Sequence, residues 1–137
     1  MNVRTCSIIP LPKVIDSRGN LTFLESNNQV PFTINRVYFL YDVPSRSSRG
    51  GHSHMDLWQL LVAISGSFSV VVDDGDCRST VTLNAPDEGL LIGPGVWREL
   101  NGFSAGSVCL VLASNKYDEA DYIRDYATHV ETFSQGT

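Results

Sequence analysis

The chain has 137 residues and a mass of 15.1 kDa, with 42% hydrophobic and 18% charged side chains and a formal net charge of -5. That is apolar material for one cored domain over residues 1–137, too little length for two, and the wrong composition for a disordered chain. The acidic balance argues against a nucleic-acid or anionic-membrane partner. No apolar run approaches the roughly 18 residues of a membrane helix, and the start of the chain lacks the apolar core of a secretory signal. Three scattered cysteines, Cys6, Cys77 and Cys109, with no CxxC pair, fit reduced thiols and a cytoplasmic location better than a disulfide framework or a structural zinc site.

In chain order, short β-type runs alternate with turn signals, which predicts an all-β sandwich or barrel. The turn Asp16-Ser17-Arg18-Gly19-Asn20 precedes a strand over Leu21 to Glu25, and Ile34 to Tyr41 reads as a second. Leu57 to Ile64 is apolar enough for a helix. Ser65-Gly66-Ser67 and the alternating run from Phe68 follow at once, so the pair is predicted as a hairpin turning at Gly66. Asp73-Asp74-Gly75-Asp76 predicts a second hairpin leading into Arg78 to Leu83. Gly89 to Ile92, the turn Gly93-Pro94-Gly95 and a return strand over Val96 to Leu100 come next. Val108 to Ala113 is a continuous apolar run, as expected of an inner strand. Residues 117 to 126 start acidic and predict one short C-terminal helix. Some eight to ten strands and one helix fit a double-sheet jelly roll, a fold able to hold a ligand between its sheets.

The chemistry concentrates in Arg49-Gly50-Gly51-His52-Ser53-His54. Two histidines at i and i+2 on an extended segment point the same way. Facing inward they can bind a metal or move protons; facing outward they are two histidines of a Gly/Ser loop. A second bias is in the cations: eight of the ten basic residues are arginine, whose planar fork suits phosphate and carboxylate, although genome composition produces the same bias.

The spacing G-H-x-H-x4-Q-x6-G, ending at Gln59 and Gly66, resembles the first motif of the cupin superfamily. Gly89-x4-Pro94 resembles part of the second, but its metal-completing histidine is absent and Arg98 stands in that region. A guanidinium stays protonated and is no normal ligand, and His129 lies in the C-terminal tail. The expectation is therefore a cupin without metal or other cofactor.

A longer resemblance runs from residue 16 to about residue 126, through Asp16-Ser17-Arg18-Gly19, Arg36-Val37-Tyr38, the Arg49 to His54 block, Gly93-Pro94-x-Val96-Trp97, and the tail Leu112-Ala113-Ser114-x-x-Tyr117-Asp118-Glu119-x-Asp121-Tyr122-Ile123-Arg124. In these stretches the chain resembles the sugar 3,4-ketoisomerases acting on dTDP-4-dehydro-6-deoxy-D-glucose. The resemblance implies a metal-free isomerase moving the carbonyl from C4 to C3 through an enediol or enediolate, in nucleotide-sugar biosynthesis for a surface polysaccharide. By match to the family motif His52 is the base at carbon. His54 would shuttle a second proton, and Tyr38 would polarise or protonate a sugar oxygen. Arg18, Arg36, Arg49 and Arg98 are candidates for the diphosphate, Trp97 for packing on the thymine or sugar, and Gln59 for bonding the sugar or orienting a histidine. Arg46, Arg78 and Arg124 read as solvated or structural charges, and Asp118-Glu119-Asp121 as a helix start. Some relatives carry histidine at the place of Arg98. The resemblance also implies a homodimer with exchanged N-terminal strands, in which Arg4 and Arg18 would complete a neighbour's site. The alternatives are a 3,5-epimerase, a non-catalytic sugar-binding cupin and a metal-dependent oxygenase.

Overall fold

The structure is a computed structural model, and it describes residues 1–136. Twelve strands are formed: β1 (Cys6–Pro10), β2 (Lys13–Val14), β3 (Leu21–Thr22), β4 (Arg36–Leu40), β5 (Arg49–His54), β6 (Gln59–Ser65), β7 (Phe68–Asp73), β8 (Arg78–Leu83), β9 (Glu88–Ile92), β10 (Trp97–Asn101), β11 (Val108–Ala113) and β12 (Tyr122–Ile123). They are followed by one helix, α1 (Tyr126–Phe133). Two five-stranded antiparallel sheets face each other, in the orders β1-β9-β6-β11-β4 and β12-β5-β10-β7-β8, while β2 and β3 form a separate ribbon. This is the predicted double-sheet architecture with one short C-terminal helix.

The side chains that alternate inward from both sheets make the core. Leu61, Leu90, Ile92, Cys109 and Val111 from the first sheet meet Phe68, Val70, Val72, Leu83 and Leu100 from the second. The first sheet is buried on its back as well, where Leu60, Val62 and Leu112 pack under Leu11, Val30 and Phe32 of the N-terminal segment. Burial on both faces is why β6 and β11 read as continuous apolar runs rather than alternating ones.

Several boundaries differ from expectation, each for a tertiary reason. Gly66 does not close a hairpin. β6 pairs with β9 and β11, and β7 with β8 and β10, so the turn carries the chain from one sheet to the other. Gly66 has φ +67° there, and a Cβ would lie 2.8 Å from the Ser107 backbone, so only glycine fits the corner. The hairpin at Asp73 to Asp76 forms as predicted, joining β7 to β8. The helix lies later than predicted. Asp118 caps a short 3-10 turn over Glu119–Asp121, Tyr122 and Ile123 pair with β5, and Asp125 caps α1 through Thr128 N–H. Pairing with a free sheet edge overrides the local helical signal of residues 117 to 126.

Candidate active site

β5 positions the site. Alternation along it turns His52 and His54 inward and Ser53 outward, so the imidazoles take the interior orientation. His52 lies opposite Arg98 on β10, and His54 opposite Tyr122 on β12. Gly50 and Gly51, at φ +85° and +72°, let the strand bulge against Arg98/Glu99, and a Cβ on Gly50 would lie 2.9 Å from the Arg98 carbonyl oxygen. On the outward face His129 Nε2–H donates to the Asp73 carbonyl at 3.0 Å. That leaves Nδ1 to accept from Ser53 Oγ at 2.9 Å, so α1 clamps the back of the strand carrying both site histidines. His129 is thus a structural residue, outside the site as expected.

A cavity of about 500 Å³ opens between the sheets. His52, Tyr38, Gln59, Arg36, Arg49, Arg98, Tyr122 and Arg124 line it, and Leu40, Leu61, Leu100 and Val111 of the core form its apolar floor. A second cavity of about 490 Å³ shares Arg36 and Tyr122 with the first and is walled by His54, Asp56, Tyr117 and Asp121, among others. The two histidines share a strand face, His52 on the wall of the first cavity and His54 on that of the adjoining second. Their rings meet edge to face with centroids 4.9 Å apart.

Burial, reinforced by the Arg98 guanidinium, pushes the His52 pKa down to about 3 and that of His54 down to about 2. Both imidazoles are neutral at physiological pH and able to accept a proton. His54 Nδ1 lies 3.0 Å from Asp121 Oδ2. Arg98 is the largest fully buried side chain, and no carboxylate lies within salt-bridge distance of it among the described residues. Burial lowers its pKa to about 10, which still leaves it cationic.

Arg98 Nη1 donates to Gln59 Oε1 at 2.6 Å, and Gln59 Nε2 donates to the Tyr38 hydroxyl oxygen at 3.1 Å. With its oxygen accepting from Gln59, Tyr38 has its own O–H free to donate into the cavity. Burial raises the Tyr38 pKa and keeps that proton on. Gln59 therefore holds the tyrosine rather than a histidine.

The predicted site residues divide accordingly. His52, Tyr38, Gln59, Arg36, Arg49 and Arg98 come together around one cavity. Trp97 does not: it alternates to the outer face of β10, donates its indole N–H to Glu99 at 2.7 Å and packs on Tyr126 and His129. Arg18 sits at the tip of the β2–β3 ribbon, paired with Asp16 and 88% exposed, away from the cavity of its own chain. Arg4 is held by Asp74 and the Phe133 carbonyl. Two residues read otherwise in the sequence, Arg124 as a solvated or structural charge and Asp121 as part of a helix start, lie at the site. Arg124 lines the cavity, its guanidinium 4.3 Å from the Tyr122 ring centre and paired with Glu119. Asp121 meets His54. Only the pairing of β12 with β5 shows either one. No three His, Cys, Asp or Glu side chains converge in a metal-holding group among the described residues.

The chain is similar to several sugar 3,4-ketoisomerases. It is 47% identical over 119 residues, covering 87% of this chain and 86% of the relative, to a TDP-4-oxo-6-deoxy-alpha-D-glucose-3,4-oxoisomerase of Aneurinibacillus thermoaerophilus. An asparagine-for-histidine variant of the 3,4-ketoisomerase QdtA from Thermoanaerobacterium thermosaccharolyticum, solved with TDP-4-keto-6-deoxyglucose, superposes with a TM-score of 0.95 at 38% identity over 97% of this chain and 96% of that one. The TDP-quinovose 3,4-ketoisomerase WlaRB of Campylobacter jejuni gives a TM-score of 0.91 at 43% identity, over 94% and 99% of the two chains. Residues 4–134 match the family model described as FdtA: WxcM-like, C-terminal, and the chain belongs to that family.

Proposed function

We propose that the chain converts dTDP-4-dehydro-6-deoxy-D-glucose to the corresponding dTDP-3-dehydro-6-deoxyhexose by proton transfer between protein groups and sugar. The observation that carries this reading is the cross-strand pair His52 and Arg98: a neutral imidazole beside a buried, uncompensated cation in a sugar-sized cavity. The relatives' printed activities support it.

In the proposed reaction His52 takes the proton from C3. The C–H electron pair becomes the C3–C4 double bond and the C4 carbonyl becomes an enediolate oxygen. Arg98 and the free Tyr38 O–H stabilise that oxygen, and because both are held in place before substrate arrives they need no reorganisation. The proton is returned to C4, and the C3 hydroxyl proton passes by way of His54 to the C4 oxygen, so the C3 carbonyl and the C4 hydroxyl form with no net gain or loss of protons. Arg36, Arg49 and Arg124 supply forks for the diphosphate. Arg36 is prepared for this, since its buried Nε has no acceptor among the described residues.

A homodimer belongs to the same reading. Val14, Ile15, Leu21 and Phe23 on and around the β2–β3 ribbon, and Val37, Phe39 and Tyr41 on and beside the edge strand β4, are exposed apolar groups that a second copy would cover. In such a dimer the exposed Arg18 reaches the partner's cavity. β1 itself pairs with β9 of the same chain, so the ribbon is the element available for exchange. Three free thiols support a cytoplasmic setting; among the described residues no helix is long and apolar enough to cross a membrane.

The test is incubation of the purified protein with the 4-keto nucleotide sugar in deuterated water, followed by NMR of the product. The expected product has its ketone at C3 and deuterium at C4. A ketone retained at C4, with deuterium at C3 and C5, identifies an epimerase and overturns the proposal.

A further inference from the structure

Among the described residues, the one contact between a site histidine and a carboxylate lies on the wall of the second cavity. His54 is fully buried, its Nδ1 is 3.0 Å from Asp121 Oδ2, and its buried Nε2 has no hydrogen-bond partner among the described residues. The other oxygen of Asp121, Oδ1, accepts the backbone N–H of Asp56 at 2.8 Å, and the Asp121 carbonyl accepts from Met55 N–H. The carboxylate is thus anchored by the loop that leaves β5, on the wall of a cavity that shares Arg36 and Tyr122 with the first.

We infer that Asp121 is a positioning residue that fixes His54 as the Nδ1–H tautomer, leaving Nε2 as the edge of the ring that receives a proton. An ionised carboxylate only accepts hydrogen bonds, so the ring proton must sit on the nitrogen facing it. The inference rests on His54 as second proton carrier of the proposed isomerisation and specifies its resting state: the ring receives a proton before it gives one.

The geometry makes the claim testable through one substitution. In Asp121→Asn the backbone N–H of Asp56 still needs an acceptor, so the amide oxygen takes the Oδ1 place and the NH2 group faces His54 Nδ1. An NH2 group donates, so Nδ1 must become the acceptor and the ring proton must move to Nε2. The substitution is nearly isosteric but inverts the tautomer.

The experiment is long-range 1H–15N NMR of the uniformly 15N-labelled full chain near pH 7.5. The His54 signals are identified by their loss in His54→Gln. In the wild type Nδ1 is expected to show the protonated, pyrrole-type shift and Nε2 the pyridine-type shift, and Asp121→Asn should exchange them. The same variant should lower kcat about 100-fold with KM little changed, because the ring keeps its place and loses its correct protonation pattern. A wild-type proton on Nε2 overturns the inference without any variant. So does an Asp121→Asn spectrum or kcat like the wild type's. Absence of turnover by the wild type counts against the isomerase reading alone, because the tautomer is read without substrate.

Discussion

Arg98 and Gln59 hydrogen-bond across the interior at 2.6 Å, tying β10 of one sheet to β6 of the other, with both side chains at most 2% exposed. A buried guanidinium whose partners are the neutral Gln59 amide and the Val96 carbonyl, with no carboxylate in salt-bridge reach among the described residues, is costly to fold around. Here the cation is positioned where the proposed enediolate oxygen develops, and the same bond aims Tyr38 into the cavity through Gln59.

Arg98→Met should therefore separate stability from activity. Removing a buried, uncompensated charge while keeping its volume should leave Tm equal to the wild type's or higher. kcat/KM should fall about 100-fold with the loss of oxyanion stabilisation. Calorimetry and steady-state kinetics on one preparation check both, and a lower Tm with full activity contradicts the assignment.

His52→Asn should abolish turnover by about three orders of magnitude while binding of the nucleotide sugar stays within about threefold of the wild type, because only the base is lost. Isothermal titration with the 4-keto sugar nucleotide, beside the deuterium-incorporation assay, separates the two quantities. Full activity in this variant would remove His52 from the mechanism.

Trp97→Phe should be a stability variant. It loses the indole N–H bond to Glu99 and part of the packing on Tyr126 and His129, a cost of about 1–2 kcal/mol. KM and kcat should change less than about twofold, since the ring lies outside the cavity. A large rise in KM would show that the side chain reaches substrate after all.

All three histidines have pKa values lowered by burial, to about 3 for His52, about 2 for His54 and downward for His129. In the unfolded chain they titrate near 6.5. Between those values the unfolded state binds more protons than the folded one, so stability is full above about pH 6.5 and declines as pH falls towards 3. Urea midpoints measured from pH 8 to pH 4 should drop steadily below about 6.5. Over the range where the protein stays folded, kcat/KM should show no inflection near 6.5, because His52 is already neutral there. A neutral-range inflection that follows His52 would contradict its low pKa.

Much of the molecule is determined by the order of residues alone. Period-two alternation at His52, Ser53 and His54 sets both imidazoles on one face, and the apolar run Val108 to Ala113 sets an inner strand, because strand geometry leaves side chains no other directions. Asp73 to Asp76 encodes its own hairpin, since its turn chemistry is local. The tertiary structure decided what depends on distant partners. It sent Trp97 outward and Arg98 inward, and turned the Gly66 corner from a hairpin into a passage between sheets. It drew residues 122 and 123 into β12, which brought Asp121 to His54 and Arg124 to the cavity. Sheet pairing and desolvation are set by groups far apart in sequence: which strand lies alongside, and which charge remains unpartnered inside, exist only once the two sheets close.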